Sequence, residues 1–200
     1  RLFKNQLYHI VIRYNPEFVS YIMKILVTGG AGFIGKYLVK SLLENNNTVT
    51  IFDNFSNSTK KSVEHLIKKG AKITEGDIIK SQDILDATKN QDIVIHLAAK
   101  ISVPDSIINS ESTFDTNVNG TQNILDSLLS NNISKIIFLS SAAVYSDGTS
   151  KFTESSKLIP SSPYGVSKME MEKKINHFIV HHKIDSTILR LFNVYGNGQS

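Results

Sequence analysis

The sequence predicts an α/β protein built on a doubly wound parallel sheet. Three observations carry that expectation. From Met23 onward, short runs rich in Ile, Val and Leu alternate with longer stretches of helical periodicity; a glycine-rich turn follows the first run at once; and the second run ends in an aspartate. Such alternation is the signature of βαβ units. Strands covered by helices on both faces read as nearly continuous apolar runs.

In chain order, strands are expected at residues 24–28 (KILVT), 48–52 (TVTIF), 71–74, 92–96 (DIVIH), 135–140 (KIIFLS) and 186–191 (STILRL). Helices are expected between them at 33–44, 62–69, 84–89, 114–130 and 163–182, with Gly, Asn and Asp clusters such as 44–47 punctuating the pattern. Six strands joined by crossover helices make a Rossmann fold, whose ligand crevice lies beyond the carboxyl ends of the strands. Two hundred residues suffice for one buried core. Residues 23–200 are expected to form that single domain. The stretch 1–22 opens on Arg1, and its apolar residues are interrupted by Arg13, Asn15, Pro16 and Glu17, unlike the core of a signal peptide. It is expected to be an N-terminal extension, with an extra strand or arm as the alternative.

Composition narrows the function. A formal charge of +4 is spread along the chain, with no run of like charge that would make a nucleic-acid or membrane patch. No apolar run approaches the length that spans a bilayer. The chain has no cysteine, so thiol catalysis and Cys-ligated zinc are excluded, and a reducing cytoplasm is the expected compartment.

Residues 28–35 read TGGAGFIG between a strand and an amphipathic helix, the context a dinucleotide fingerprint requires. Gly29 permits the tight turn, Gly32 lets backbone approach a pyrophosphate, and Gly35 lets the helix pack closely on the sheet. The amides that open the helix, at Phe33 and Ile34, point at the phosphates, whose charge the helix dipole favours. Asp53 closes the second strand where an acid would accept from both hydroxyls of the adenosine ribose and repel a 2′-phosphate, so the expected cofactor is NAD rather than NADP. Asp77, beside Ile78 after the third strand, suits either the adenine amino group or an ordinary loop and cap role. Leu97, Ala98 and Ala99 end the fourth strand with mostly small side chains, leaving room for a flat cofactor. His96 lacks a second ligand at metal spacing and is expected to be a packed strand-end histidine; no metal site is expected.

Tyr164 and Lys168 stand four apart in a helical segment and so share one face. The ammonium is expected to lower the tyrosine pKa and make the phenol a usable acid and base for an alcohol. Ser141, at the end of the fifth strand, can donate to the oxygen that becomes a carbonyl. Order along the chain lifts this pair above a chance occurrence: fingerprint, ribose acid, a strand ending in Ser-Ser, then Tyr and Lys opening the next helix.

On these motifs, and on DNFSN at 53–57, GDI at 76–78, HLAA at 96–99, NVNGT at 117–121, FLSSAAVY at 138–145, YGVSK at 164–168 and LRLFNVYG at 189–196, the chain resembles the extended short-chain dehydrogenases/reductases of the nucleotide-sugar epimerase and dehydratase family, in particular the UDP-glucose 4-epimerases. The resemblance covers nearly everything from Met23 to Ser200. It implies that Asn54 and Asn117 help seat the cofactor, that Ser141 rather than Ser140 is the catalytic hydroxyl, and that Asn193 faces a sugar nucleotide, expected to be a UDP-hexose bound by Ser141 and Tyr164 as well. Similar dehydratases carry acidic residues just after the Ser or Thr. Here those positions are Ala142 and Ala143, which points to epimerisation at C4 rather than elimination. A reductase or dehydratase of a nucleotide sugar, or a non-catalytic NAD-binding domain, are the alternatives. Ser146 departs from the family's usual glycine and is expected to re-route the following loop. The family's smaller C-terminal substrate domain is expected to begin about where this chain stops and so to be largely missing. The resemblance further implies a homodimer of the full-length protein through the helices at 114–130 and 163–182.

Overall fold

The computed structural model describes residues 22–148 and 151–199; the extension expected at 1–22 lies, apart from Ile22, outside the described residues. Six strands form one parallel sheet: β1 (Lys24–Thr28), β2 (Thr48–Asp53), β3 (Lys72–Glu75), β4 (Ile93–His96), β5 (Lys135–Ser141) and β6 (Asp185–Leu191). Their order across the sheet is β3-β2-β1-β4-β5-β6. The chain therefore reverses direction between β1 and β4, which hydrogen-bond in register from Ile25↔Ile93 to Thr28↔His96. That reversal opens the crevice at the carboxyl ends of the central strands.

Successive side chains point to opposite faces of a strand, so each apolar strand feeds two cores. Leu26, Phe52, Val94, Ile136 and Phe138 pack on one face under α3 (Ser81–Ala87), α6 (Gly120–Ser130) and α7 (Pro163–His182). Ile25, Val27, Val49, Ile51, Ile93, Ile95 and Ile137 fill the other, under α1 (Phe33–Glu44) and α2 (Glu64–Ile67). The edge strand β3, with Lys72 and Glu75 exposed, is covered less and is correspondingly polar.

The expected bounds of α1 and α7 match the structure, and the six strands differ from expectation only at their ends. Three helical regions differ more. The helix expected at 62–69 is a 3-10 turn (Lys60–Val63) followed by the single turn of α2, because Thr59 caps the chain earlier by accepting from Ser62 N. The helix expected at 84–89 is α3 and starts three residues sooner. The one expected at 114–130 starts at Ser110, where the Asn109 side chain caps α5 (Ser110–Phe114), and widens into a π-helical turn over Asp115–Asn119 before α6. A further short helix, α4 (Val103–Ile108), was not expected, although Ser102 followed by Pro104 and Asp105 is a helix-start pattern: Ser102 accepts from Asp105 N.

Each return from a helix to the next strand passes through a left-handed residue: Asn46 at φ 62°, Gly70 at 103°, Asn90 at 58°, Asn132 at 55° and Lys183 at 54°. Asn and Gly tolerate that conformation, and lysine does so at a cost of about 1 kcal/mol. Lys183 nevertheless ends α7, its N–H bonded to Ile179 O. Lys183→Gly is expected to raise stability by up to about 1 kcal/mol, read as a higher urea midpoint at unchanged slope; a lower midpoint would contradict this account.

Candidate active site

The β1–α1 turn is built of main chain. Gly29 is left-handed at φ 66°, and a Cβ there would lie 2.7 Å from Ala98 N, so the turn presses against the end of β4 as only glycine permits. At Gly35 a Cβ would meet the backbone of Gly29 and Gly30; this glycine seats α1 on the turn rather than on the sheet itself. Gly32 caps α1 in an extended conformation, no side chain caps the helix, and its first turn carries no acid. The amides of Phe33 and Ile34 thus lack intrahelical acceptors, and the region fits an anion such as a pyrophosphate.

Asp53 does more than the sequence suggests. Its Oδ2 accepts from Ala31 N at 3.0 Å, tying β2 to the glycine turn, and its Oδ1 accepts from Phe55 N at 2.9 Å and Ser58 Oγ at 3.2 Å. A carboxylate has about four acceptor positions. Three are occupied, so Asp53 can take a second ribose hydroxyl only if the Ser58 hydroxyl turns away. Asn54 and Asp77 are joined at the ends of β2 and β3: Asn54 Nδ2 donates to Asp77 Oδ2 at 2.9 Å, while Asp77 Oδ1 accepts from Ile79 N and Asp77 N donates to Asp83.

Ile78 and Asn117, which the resemblance places on the cofactor side, are both buried. The Ile78 side chain is buried in the core against Gly120, and its carbonyl accepts from Asn123, so any cofactor contact is left to its main-chain N–H. Asn117 is fully buried: its amide donates to Lys100 O at 2.9 Å and Ser167 Oγ at 3.0 Å, and its Oδ1 accepts from Lys100 N at 2.8 Å. Its hydrogen bonds fix the segment that follows β4. The wide π turn is what carries its side chain inward. Leu97, Ala98 and Ala99 are half-buried at the crevice floor, with Leu97 N bonded to Thr28 O.

His96 is buried between Thr28 and Thr121. Thr121 Oγ1 donates to Asn117 O at 2.6 Å, so it accepts from His96 Nε2–H; Nδ1 is then the acceptor for Thr28 Oγ1, which itself accepts from Ala98 N. Burial above all, and then the Lys168 charge, push His96 down to about 3 and keep it neutral.

At the β5 end the strand alternation separates two serines. Ser140 is buried, its hydroxyl without a partner among the described residues, whereas Ser141 is half-buried and accepts from Ala143 N at 3.1 Å, leaving its proton free to donate. Tyr164 opens α7 beside it. Burial pushes the Tyr164 phenol up, and the Ser141 hydroxyl pulls it partly down. The expectation that Lys168 lowers the tyrosine is therefore not met: the ammonium lies 6.0 Å from the ring centroid and donates to Leu139 O at 3.0 Å, and burial is the largest influence on the phenol. Lys168 is itself pushed down to about 8 by burial, with Glu172 opposing.

Several positioning residues were not anticipated. Ser106 on α4 accepts from Tyr164 N at 3.1 Å, and Ser167 donates to Tyr164 O at 2.7 Å. A Cβ at Gly165 would overlap Ala143 O, so this glycine lets α7 touch the turn (Ala142–Val144) that follows Ser141. A glycine in the first turn of a helix is the signal that marked it. Ser106 left no such signal. Asn193 lies exposed beyond β6, in a segment held to α1 by Tyr37 Oη donating to Asn197 O at 2.6 Å.

The profile of the NAD dependent epimerase/dehydratase family matches residues 25–200. This chain belongs to that family. A Methanocaldococcus jannaschii protein with a provisional assignment as UDP-glucose 4-epimerase is 40% identical over 179 residues, covering 88% of this chain and 57% of that protein. The UDP-glucose 4-epimerase of Thermus thermophilus, solved with NAD, superposes with a TM-score of 0.84 at 30% identity over 89% of this chain and 58% of its own. The dTDP-glucose 4,6-dehydratase DesIV of Streptomyces venezuelae, also solved with NAD, gives 0.83 at 30% identity, over 88% and 58%. The chain thus spans little more than half the length of the family members it matches. No helix among the described residues is long and apolar enough to cross a membrane.

The neutral, buried His96 makes a pH prediction. Unfolded, it titrates near 6.5; folded, near 3. Between these values the unfolded chain binds a proton the folded chain does not, so this contribution to stability is present above about 6.5 and is lost as pH falls toward 3. The unfolding free energy, measured from pH 7 to 5, is expected to fall less steeply in His96→Gln than in the parent; equal slopes would refute the assignment.

Proposed function

We propose that this chain is the NAD-binding part of a nucleotide-sugar 4-epimerase acting on a UDP-hexose. One observation carries the reading: Ser141, Tyr164 and Lys168 meet at the β5–α7 junction, and the two residues after Ser141 are Ala142 and Ala143, with no carboxylate to assist elimination. Gly29, Gly32, Phe33, Ile34 and Gly35 would hold the pyrophosphate, Asp53 the adenosine ribose, Asn54, Asp77 and the Ile78 main chain the adenine side, and Leu97 to Ala99 the flat rings. Held there, NAD would supply a reversible hydride acceptor for C4 of the hexose.

The chain's own residues handle the proton. Tyr164 Oη takes it from the C4 hydroxyl and later gives it back. Ser141, whose oxygen is already engaged by Ala143 N, donates its hydroxyl proton to the same sugar oxygen as charge builds there. Lys168, fixed by Leu139 O, supplies positive charge beside the phenolate. Asn193 is the substrate-side candidate, and its contacts depend on sequence beyond Ser200. The full-length protein is read as a cytoplasmic homodimer. A dehydratase is the second reading; the DesIV likeness keeps it in view, and the Ala142-Ala143 pair weighs against it.

Two measurements test this. Asp53→Asn is expected to weaken NAD binding to this chain about tenfold or more, since it removes a charge-assisted acceptor and loosens the Ala31 tie; unchanged affinity would remove the ribose role. In the full-length protein, Tyr164→Phe is expected to retain NAD and to lose interconversion of UDP-glucose and UDP-galactose by about 10²-fold or more. If the unmodified full-length protein, loaded with NAD, interconverts no UDP-hexose, the epimerase reading fails.

A further inference from the structure

Among the described residues Lys168 is the one lysine buried below a tenth of its surface and Glu172 the one carboxylate, and they lie one turn apart on α7. Glu172 is gripped from β6 by Arg190 in a two-pronged contact: Nε at 3.0 Å from Oε1 and 3.2 Å from Oε2, and Nη2 at 2.7 Å from Oε2. Nη1 of the same guanidinium turns to Tyr145 Oη at 2.9 Å and Glu154 O at 3.0 Å, and Tyr145 Oη donates on to Thr153 O. One arginine therefore joins α7, β6 and the loop that follows the Ser141 turn. The guanidinium is partly exposed, at 20%, whereas the Glu172 side chain is 3% exposed.

We infer that Glu172 is a positioning residue for Lys168: Arg190 fixes the carboxylate, and the carboxylate, one turn along α7, is the buried counter-charge of the ammonium that Leu139 O holds. A buried ion pair contributes little net stability compared with apolar packing, so stability alone does not account for this one. The groups facing Lys168 are few. Tyr164 and Glu172 share its helix, Leu139 O and the Phe138 ring face it from β5, and neutral His96 from β4, while Arg190 on β6 acts through Glu172. Glu172 opposes the burial that draws Lys168 down to about 8. Without it, burial would draw the Lys168 ammonium lower still.

The importance of this pair rests on Lys168 serving Tyr164 as proposed above, but its test needs neither cofactor nor sugar. The Lys168 ammonium would be followed by NMR in the ¹⁵N-lysine-labelled chain through a pH titration, its signal assigned by loss in Lys168→Arg. Glu172→Gln is expected to lower the Lys168 midpoint by about one pH unit with little change in Tm, because the freed guanidinium reaches solvent. Arg190→Gln leaves a buried carboxylate unpaired; it is expected to lose several degrees of Tm without lowering the Lys168 midpoint. Should Glu172→Gln fail to fold, the double variant Glu172→Gln/Arg190→Gln gives the same reading. A Lys168 midpoint unmoved in the variant that folds overturns the inference and leaves the epimerase reading standing; a failed epimerase assay leaves the Lys168 shift standing.

Discussion

A lysine ammonium buried under a helix is the constraint around which this site is arranged. Desolvating a charge is costly unless it finds acceptors, and Lys168 finds one in the Leu139 carbonyl, at the point where β5 gives way to the Ser141 turn. That bond sets the height of α7 over the sheet. Once α7 sits there, Tyr164 falls beside Ser141, and Gly165 must lack a side chain because Ala143 O occupies the space. The same placement desolvates the phenol. Burial thus works against the acid–base role proposed for Tyr164, because it holds the phenol above its ordinary pKa.

The two halves of the sheet are joined by hydrogen bonds that cross the β1–β4 reversal. From Asn117 the chain of donors and acceptors runs through Thr121, His96 and Thr28 to Ala98 N, the residue against which Gly29 rests. A second branch runs from Asn117 to Ser167 and then to Tyr164 O. The glycine turn and Tyr164 therefore share one buried polar framework. Every member of such a framework must be satisfied, since an unpaired buried group costs more than a lost surface contact. Asn117 is the branch point of that framework.

What the sequence made legible follows from which physical signals are local. Apolar runs, the glycine turn and the four-residue spacing of Tyr164 and Lys168 are local, and they make the doubly wound sheet and the candidate site residues readable. Boundaries were less readable where a side-chain cap overrode periodicity, as at Thr59 and Asn109, or where the helix widened at Asp115–Asn119. Ser106, Glu172 and Arg190 were out of reach for a different reason. Each is an ordinary polar residue along the chain and acquires its role only when elements far apart in sequence pack together. The tyrosine pKa was misjudged for the same reason: spacing reveals a neighbouring cation and is silent on how deeply the phenol is buried.

The likeness to both an epimerase and a dehydratase, at almost equal TM-scores, shows how little of the reaction the sheet decides. In the reading proposed above, the glycine turn, Asp53 and the Tyr164–Lys168 pair would serve either reaction. The proposed distinction lies in the side chains at positions 142 and 143, on a 3-10 turn anchored by Ser141 and packed on Gly165. What separates the proposed epimerisation from elimination in this chain is the missing carboxylate at Ala142 and Ala143, and no feature of the sheet that carries them.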